Sequence, residues 1–166
     1  MMKFLLISTL LFTYFVSTAQ QPKSSLKAGD VIPFFEKTGY DGNLVSLQTV
    51  ESELIVINFW ASWCGPCLKS LKSTLRPMYE SYDRSQVDVI GISNDRQQSK
   101  WEKAIKSWDI PWSNILDDDQ SLVRSFDVPA IPTYFIVDNT GTILVSNVFS
   151  SDLPKTVKRL LKERNQ

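Results

Sequence analysis

The run Leu54 to Trp60, Leu-Ile-Val-Ile-Asn-Phe-Trp, is β-branched and aromatic with almost no polar break. A short run of this kind reads as a central strand buried on both faces, which obliges the rest of the chain to supply a layer on each side. Directly after it come Ala61-Ser62-Trp63-Cys64-Gly65-Pro66-Cys67 and then Leu68, Leu71, Leu75, Met78 and Tyr82 at spacings of three and four. The local order is strand, tight loop, helix, which places the chain in the α/β class. Pro77 falls inside the helical stretch, where its missing N–H and its ring predict a kink or an end.

The rest of the chain repeats this grammar. Val87 to Ile92 reads as a second buried strand, and Ser93-Asn94-Asp95 at its end is a candidate cap for a helix over Gln98 to Trp108, with Trp101, Ile105 and Trp108 on one face. Asp117-Asp118-Asp119 precedes a short helix, Ser121 to Phe126, whose N-terminus favours negative charge. Thr133 to Val137 and Ile143 to Val145 form two strands joined by the turn residues Asp138-Asn139-Thr140-Gly141. A last helix starts at Asp152-Leu153-Pro154 and turns Val157, Leu160 and Leu161 inward. Upstream, Val31, Ile32, Phe34 and Phe35, the turn Tyr40-Asp41-Gly42-Asn43 and Leu44 to Leu47 predict a hairpin or a pair of short strands. The sum is β-α-β-α-β-β-α behind a β-rich N-terminal extension, with helices on both faces of the sheet.

The chain is long enough for one domain, at 166 residues. Residues 1–19 read as a signal peptide: Lys3, an apolar run from Phe4 to Val16, then Ser17-Thr18-Ala19 at the cleavage position. The apolar run falls short of the roughly 20 residues that a membrane-crossing helix needs; a retained N-terminal anchor is the alternative. Residues 20–27 form a polar lead-in expected to be flexible, and 28–166 form the domain. Export implies a periplasmic location, where two cysteines can persist as a pair. Eighteen basic against eighteen acidic side chains argue against a partner that is nucleic acid.

No histidine occurs, which removes Cys/His nucleophile pairs and His-ligated metals from consideration. The chemistry therefore rests on Cys64-Gly65-Pro66-Cys67. At a helix N-terminus, unpaired N–H groups and the helix dipole stabilise a thiolate at Cys64, drawing its pKa from about 8.5 toward roughly 7 or below. Residues i and i+3 share one helix face, so the two sulfurs can join and part with little backbone movement. Cys64 projects from the loop end and can attack; Cys67 points back beneath it and can resolve. Structural zinc wants four Cys or His ligands, a purely structural disulfide across so small a loop constrains little, and haem attachment needs a His where Leu68 stands. No metal and no cofactor is expected.

Asn58 to Cys67, together with Ala130-Ile131-Pro132-Thr133 far downstream, resembles the thioredoxin superfamily, and the extension and leader make the chain most similar to its exported TlpA/ResA-type thiol-disulfide oxidoreductases. The resemblance implies a thioredoxin fold, a central mixed sheet flanked by helices, with the N-terminal β-rich extension added. It implies that Cys64 is the nucleophile, Cys67 the resolving cysteine and Pro132 a cis-proline facing the disulfide. The backbone of Ile131 would pair with an extended substrate segment, and Trp63, Gly65 and Pro66 would border it. Trp60 is expected in the core, and Trp101, Trp108 and Trp112 as packing residues. Lys69, Lys72 and Arg76 are expected on a solvated face that could favour acidic partners. The resemblance further implies protein thiol or disulfide substrates, a membrane thiol-transfer electron donor and a monomer. Gly-Pro between the cysteines resembles the reducing members, and reduction of apocytochrome c thiols is one family role.

Three functions compete: a protein-disulfide reductase, a thiol peroxidase that would need an upstream Pro, Thr or Ser and an Arg, and a thioredoxin-fold binding module with little turnover. Two departures from the family bear on this choice. Asn58 stands where cytosolic thioredoxins carry a buried Asp, and Ser70 where many TlpA/ResA-type proteins carry a Glu. Deprotonation of Cys67 then falls to water or to a more distant carboxylate, Glu36 being the candidate. Resolution of the mixed disulfide is expected to be slower than in relatives with a carboxylate. Ser70→Glu should therefore raise the single-turnover resolution rate, and an unchanged rate would count against this reading.

Overall fold

The structure, a computed structural model, describes residues 23–164. The expected signal peptide and the first residues of the lead-in lie outside the described residues. Strand β3 (Leu54–Trp60) is buried at every position, as its composition requires. It pairs in parallel with β4 (Val87–Ser93), which pairs in parallel with β5 (Ser113–Leu116). On its other side β3 pairs antiparallel with β6 (Thr133–Asp138), and β6 with β7 (Ile143–Ser146). The five-stranded mixed sheet runs β5-β4-β3-β6-β7. A separate antiparallel pair, β1 (Lys37–Thr38) and β2 (Leu44–Val45), is the N-terminal extension.

Alternation along the strands divides the core in two. Leu54, Val56, Trp60 and Tyr134 face α1 (Gly65–Ser70), α3 (Gln98–Trp108) and α5 (Leu153–Arg164). Ile55, Ile57, Phe59 and Phe135 face Phe126, which follows α4 (Ser121–Ser125), and the extension residues Ile32, Phe35 and Val45. One face is thus covered mainly by helices and the other by α4 and the extension. No helix among the described residues is long and apolar enough to cross a membrane.

Several elements differ from expectation for identifiable reasons. The helix does not end at Pro77: Leu71–Leu75 forms a π-turn in which Arg76 N–H donates to Leu71 O, and α2 (Arg76–Glu80) follows with Pro77 in its first turn. A wider turn just before the proline lets the axis continue where a missing N–H costs nothing. Strand β5 has no sequence counterpart, because Ser113 and Asn114 break the apolar pattern; Asn114 is nonetheless buried and accepts from Trp60 Nε1 at 3.0 Å. Asp95 caps no helix, since α3 begins after Gln97. The polar lead-in carries anchors from Ser24 on: Ser24 Oγ donates to Phe126 O at 2.7 Å and Ser24 N–H to Asn147 Oδ1 at 2.8 Å.

The acidic run does serve α4. Buried Asp117 accepts the N–H groups of Leu122 and Val123 at 3.1 and 2.9 Å. Lys37 of the extension lies 3.4 Å from Asp117 and 3.0 Å from Asp119, and its hydrogen bond holds the Asp119 carboxyl well below the usual carboxylate range.

Asn114, Gly91, Asn58 and Tyr134 lie in one row across four strands. Gly91 is required there, because a Cβ would fall on Asn114 Oδ1 and crowd Trp60 Nε1 at 3.2 Å. Gly91→Ala is expected to destabilise the fold by about 1–3 kcal/mol through overpacking, read as a lower urea midpoint with unchanged slope.

Candidate active site

The end of β3 and the start of α1 bring Cys64 to a helix N-terminus, as the N-cap residue. Cys64 and Cys67 are joined as a disulfide with Cα atoms 5.2 Å apart. Cys67 N–H donates to Cys64 Sγ at 3.2 Å, and Leu68 N–H to Cys64 O at 3.0 Å. When the disulfide opens, that same Cys67 N–H faces the Cys64 sulfur and stabilises negative charge on it. Cys64 is 6% exposed and Cys67 1%, so the outer sulfur is the one an incoming group meets. Gly65 and Pro66 are exposed beside it, and an added Cβ at Gly65 would meet open space.

The second motif arrives from the neighbouring strand, in the turn just before β6. The Ile131–Pro132 bond is cis, and the Ile131 carbonyl oxygen lies 3.9 Å from Cys64 Sγ. Thr133 Oγ1 donates to Ala130 O at 2.7 Å and closes this turn. The structure thus brings together Cys64, Cys67, Ile131 and Pro132, which are far apart in sequence. Trp63 stands at the rim, 65% exposed, whereas Trp60 is fully buried.

Two features of the site were not legible in the sequence. Asp95, buried at the end of β4, accepts Ser62 N–H at 2.8 Å, Ser62 Oγ–H at 2.7 Å and Ser93 Oγ–H at 2.8 Å. It fixes the turn that leads into Cys64; a buried carboxylate saturated with donors is a strong local anchor. The second feature lies one helical turn past Cys67. Buried Ser70 shares a 2.6 Å hydrogen bond with Tyr134 Oη, so the position expected to lack a family carboxylate holds a hydroxyl pair instead. Asn58, directly opposite Tyr134 in register, is fully buried, and neither amide atom has a partner among the described residues. Glu36 is exposed just before β1, and no hydrogen bond or ion pair among the described residues ties it to the redox pair. The alternation of β6, which turns Tyr134 to the same face as Cys67, was the signal available for Tyr134.

Comparison with known proteins agrees with this geometry. The Redoxin family model matches residues 27–161. The chain is 24% identical over 122 residues to a thiol-disulfide oxidoreductase ResA of Bacillus cereus, covering 74% of this chain and 70% of the relative. To ResA of Bacillus subtilis (strain 168) it is 23% identical over 122 residues, covering 74% and 68%. Among solved structures, the thioredoxin domain of a thiol-disulfide oxidoreductase from Bacteroides vulgatus superposes with a TM-score of 0.75 at 27% identity, covering 82% of this chain and 99% of that one. A protein described as thiol:disulfide interchange protein DsbE from Chlorobium tepidum gives the same values.

Burial pushes the Tyr134 phenol up to about 12, with the Ser70 hydroxyl opposing it. Because the fold prefers the neutral phenol, its contribution to stability is complete below the unfolded value of about 10 and is lost as pH rises through the folded one. Chemical denaturation across this window should show stability falling by about 2 kcal/mol from this group, and Tyr134→Phe should remove that portion of the fall.

Proposed function

Because this chain belongs to the Redoxin family and is a thiol-disulfide oxidoreductase of the TlpA/ResA type within the thioredoxin superfamily, we propose that it reduces disulfides of protein substrates outside the cytosol, with Cys64 as nucleophile and Cys67 as resolving group. The observation that carries the assignment of roles is the placement of Cys64 Sγ. It accepts the Cys67 N–H at a helix N-terminus and lies at the outer side of the pair.

In the reduced protein the Cys64 thiolate attacks one sulfur of a substrate disulfide. The substrate S–S bond breaks, a Cys64–substrate disulfide forms, and the departing substrate thiolate takes up a proton. Cys67 then loses its proton and attacks Cys64 Sγ, expelling the second substrate thiolate and forming the Cys64–Cys67 disulfide. Two electrons pass to the substrate, and a dithiol donor must return them. A membrane thiol-transfer protein is the donor proposed here, and the expected leader supports an extracytoplasmic site of action.

Pro132 and the Ile131 backbone border the attacking sulfur and support a substrate segment added in extended form along residues 130–132. Trp63, Gly65 and Pro66 complete the exposed border. Gly-Pro between the cysteines supports reduction as the direction. Asn58 and the Ser70–Tyr134 pair supply no carboxylate below Cys67, which favours slow resolution.

Insulin reduction driven by DTT tests the proposal. Turnover is expected in the wild type and none above the DTT background in Cys64→Ser, and a single turnover of Cys67→Ser without DTT should accumulate a Cys64–substrate disulfide. Turnover that survives Cys64→Ser would overturn the assignment.

A further inference from the structure

A groove of about 650 Å³ opens beside the redox turn, lined by Gly65, Leu68, Lys69, Lys72, Ser73 and Trp108. Lys72 and Trp108 also line a second hollow of about 520 Å³ that reaches Arg76 and Ile110, so the two adjoin along the exposed side of α1 and the π-turn. Leu68 and Trp108 supply the apolar wall of the groove, and Ser73 adds a hydroxyl. Leu68 is half-buried, and Trp108 is 38% exposed although Trp101, on the same helix, is buried.

The cations around this groove are of two kinds. Arg76 is engaged: its guanidinium donates to the carbonyl oxygens of Trp108, at 3.0 Å, and of Asp109, and lies 3.4 Å from Asp109 Oδ2. It satisfies the carbonyls at the C-terminal end of α3, where Asp109 adopts φ 48°, and so fixes the Trp108 wall. It is therefore a structural clasp and corrects the expectation of a merely solvated Arg76. Lys69 and Lys72 are exposed, and among the described residues no carboxylate lies within ion-pair distance of either. In a chain of zero net charge, a local cationic strip is the means left for electrostatic selection.

We propose that this groove binds the segment flanking the disulfide of a protein substrate, and that it selects a segment combining apolar and acidic side chains. An aliphatic or aromatic group packs against Leu68 and Trp108, and carboxylates approach Lys69 and Lys72. An apolar centre with a charged rim is the ordinary anatomy of a transient interface, the rim setting on-rate and partner choice. Gly65 joins this groove to the attacking turn, so an occupant would lie next to Cys64. The proposal rests on the reading that Cys64 attacks a protein disulfide.

The test uses a short fluorescein-labelled, cysteine-free peptide of Leu, Phe, Asp and Glu, and a twin with Lys for every acid, each titrated with the oxidised protein and followed by anisotropy. The acidic peptide is expected to bind on the order of tenfold tighter at low salt, with the ratio shrinking at high salt. Lys69→Glu with Lys72→Glu should reverse the ratio, and Trp108→Ala should weaken both peptides. Equal binding, no binding of either peptide, or a ratio that survives charge reversal would overturn the proposal. Reaction of the reduced wild type with oxidised glutathione is read in parallel. Peptide preference without disulfide exchange would leave the groove standing and remove the redox reading; exchange without preference would do the opposite.

Discussion

Burial of β3 on both faces is the constraint on which the site depends. A strand with no solvent-facing side must sit mid-sheet, and the chain must cover it twice. Its C-terminal end then opens into the crevice where the turn before α1 and the Ala130–Thr133 segment converge. The polar contacts gather at that end: Asp95 ties down Ser62, Cys64 caps α1, and the Ile131 carbonyl approaches the outer sulfur. Apolar strands thus hold the outer sulfur, Cys64 Sγ, in position, with Trp63, Gly65 and Pro66 exposed around it.

The sheet carries a row of polar or small residues, Asn114, Gly91, Asn58 and Tyr134, within an otherwise apolar layer, and Tyr134 packs in the same cluster as Cys67. Asn114 is satisfied by Trp60, and Tyr134 by Ser70. Asn58 has no such partner among the described residues, and a buried amide left unpaired costs free energy. One helical turn past Cys67 the site thus holds a hydroxyl pair, Ser70 and Tyr134, and no carboxylate.

Much of this was legible in the sequence because it is local. The apolar run of β3, the spacing of Cys64 and Cys67, the helix from Gln98 to Trp108 and the turn at Asp138 to Gly141 each carry their own pattern. The cis bond before Pro132 is legible through the pairing of its motif with the cysteine motif. The parts that escaped depend on distant partners. β5 is a strand through its pairing with β4, in which Asn114 is accommodated by meeting Trp60, and Asp95 reads as a helix cap until Ser62 is placed beside it. Ser70 reads as a missing acid until Tyr134 reaches it, and Arg76 reads as solvated until the end of α3 arrives. Pro77 misleads for a different reason, since a π-turn absorbs it.

The central claim is that Cys64 and Cys67 form a reducing dithiol. It is tested most directly by the equilibrium reduction potential of the pair in DTT or glutathione buffers, followed by tryptophan fluorescence. The account predicts a reversible intramolecular couple near or below about −250 mV; a value above roughly −180 mV, or no reversible couple at all, would contradict it.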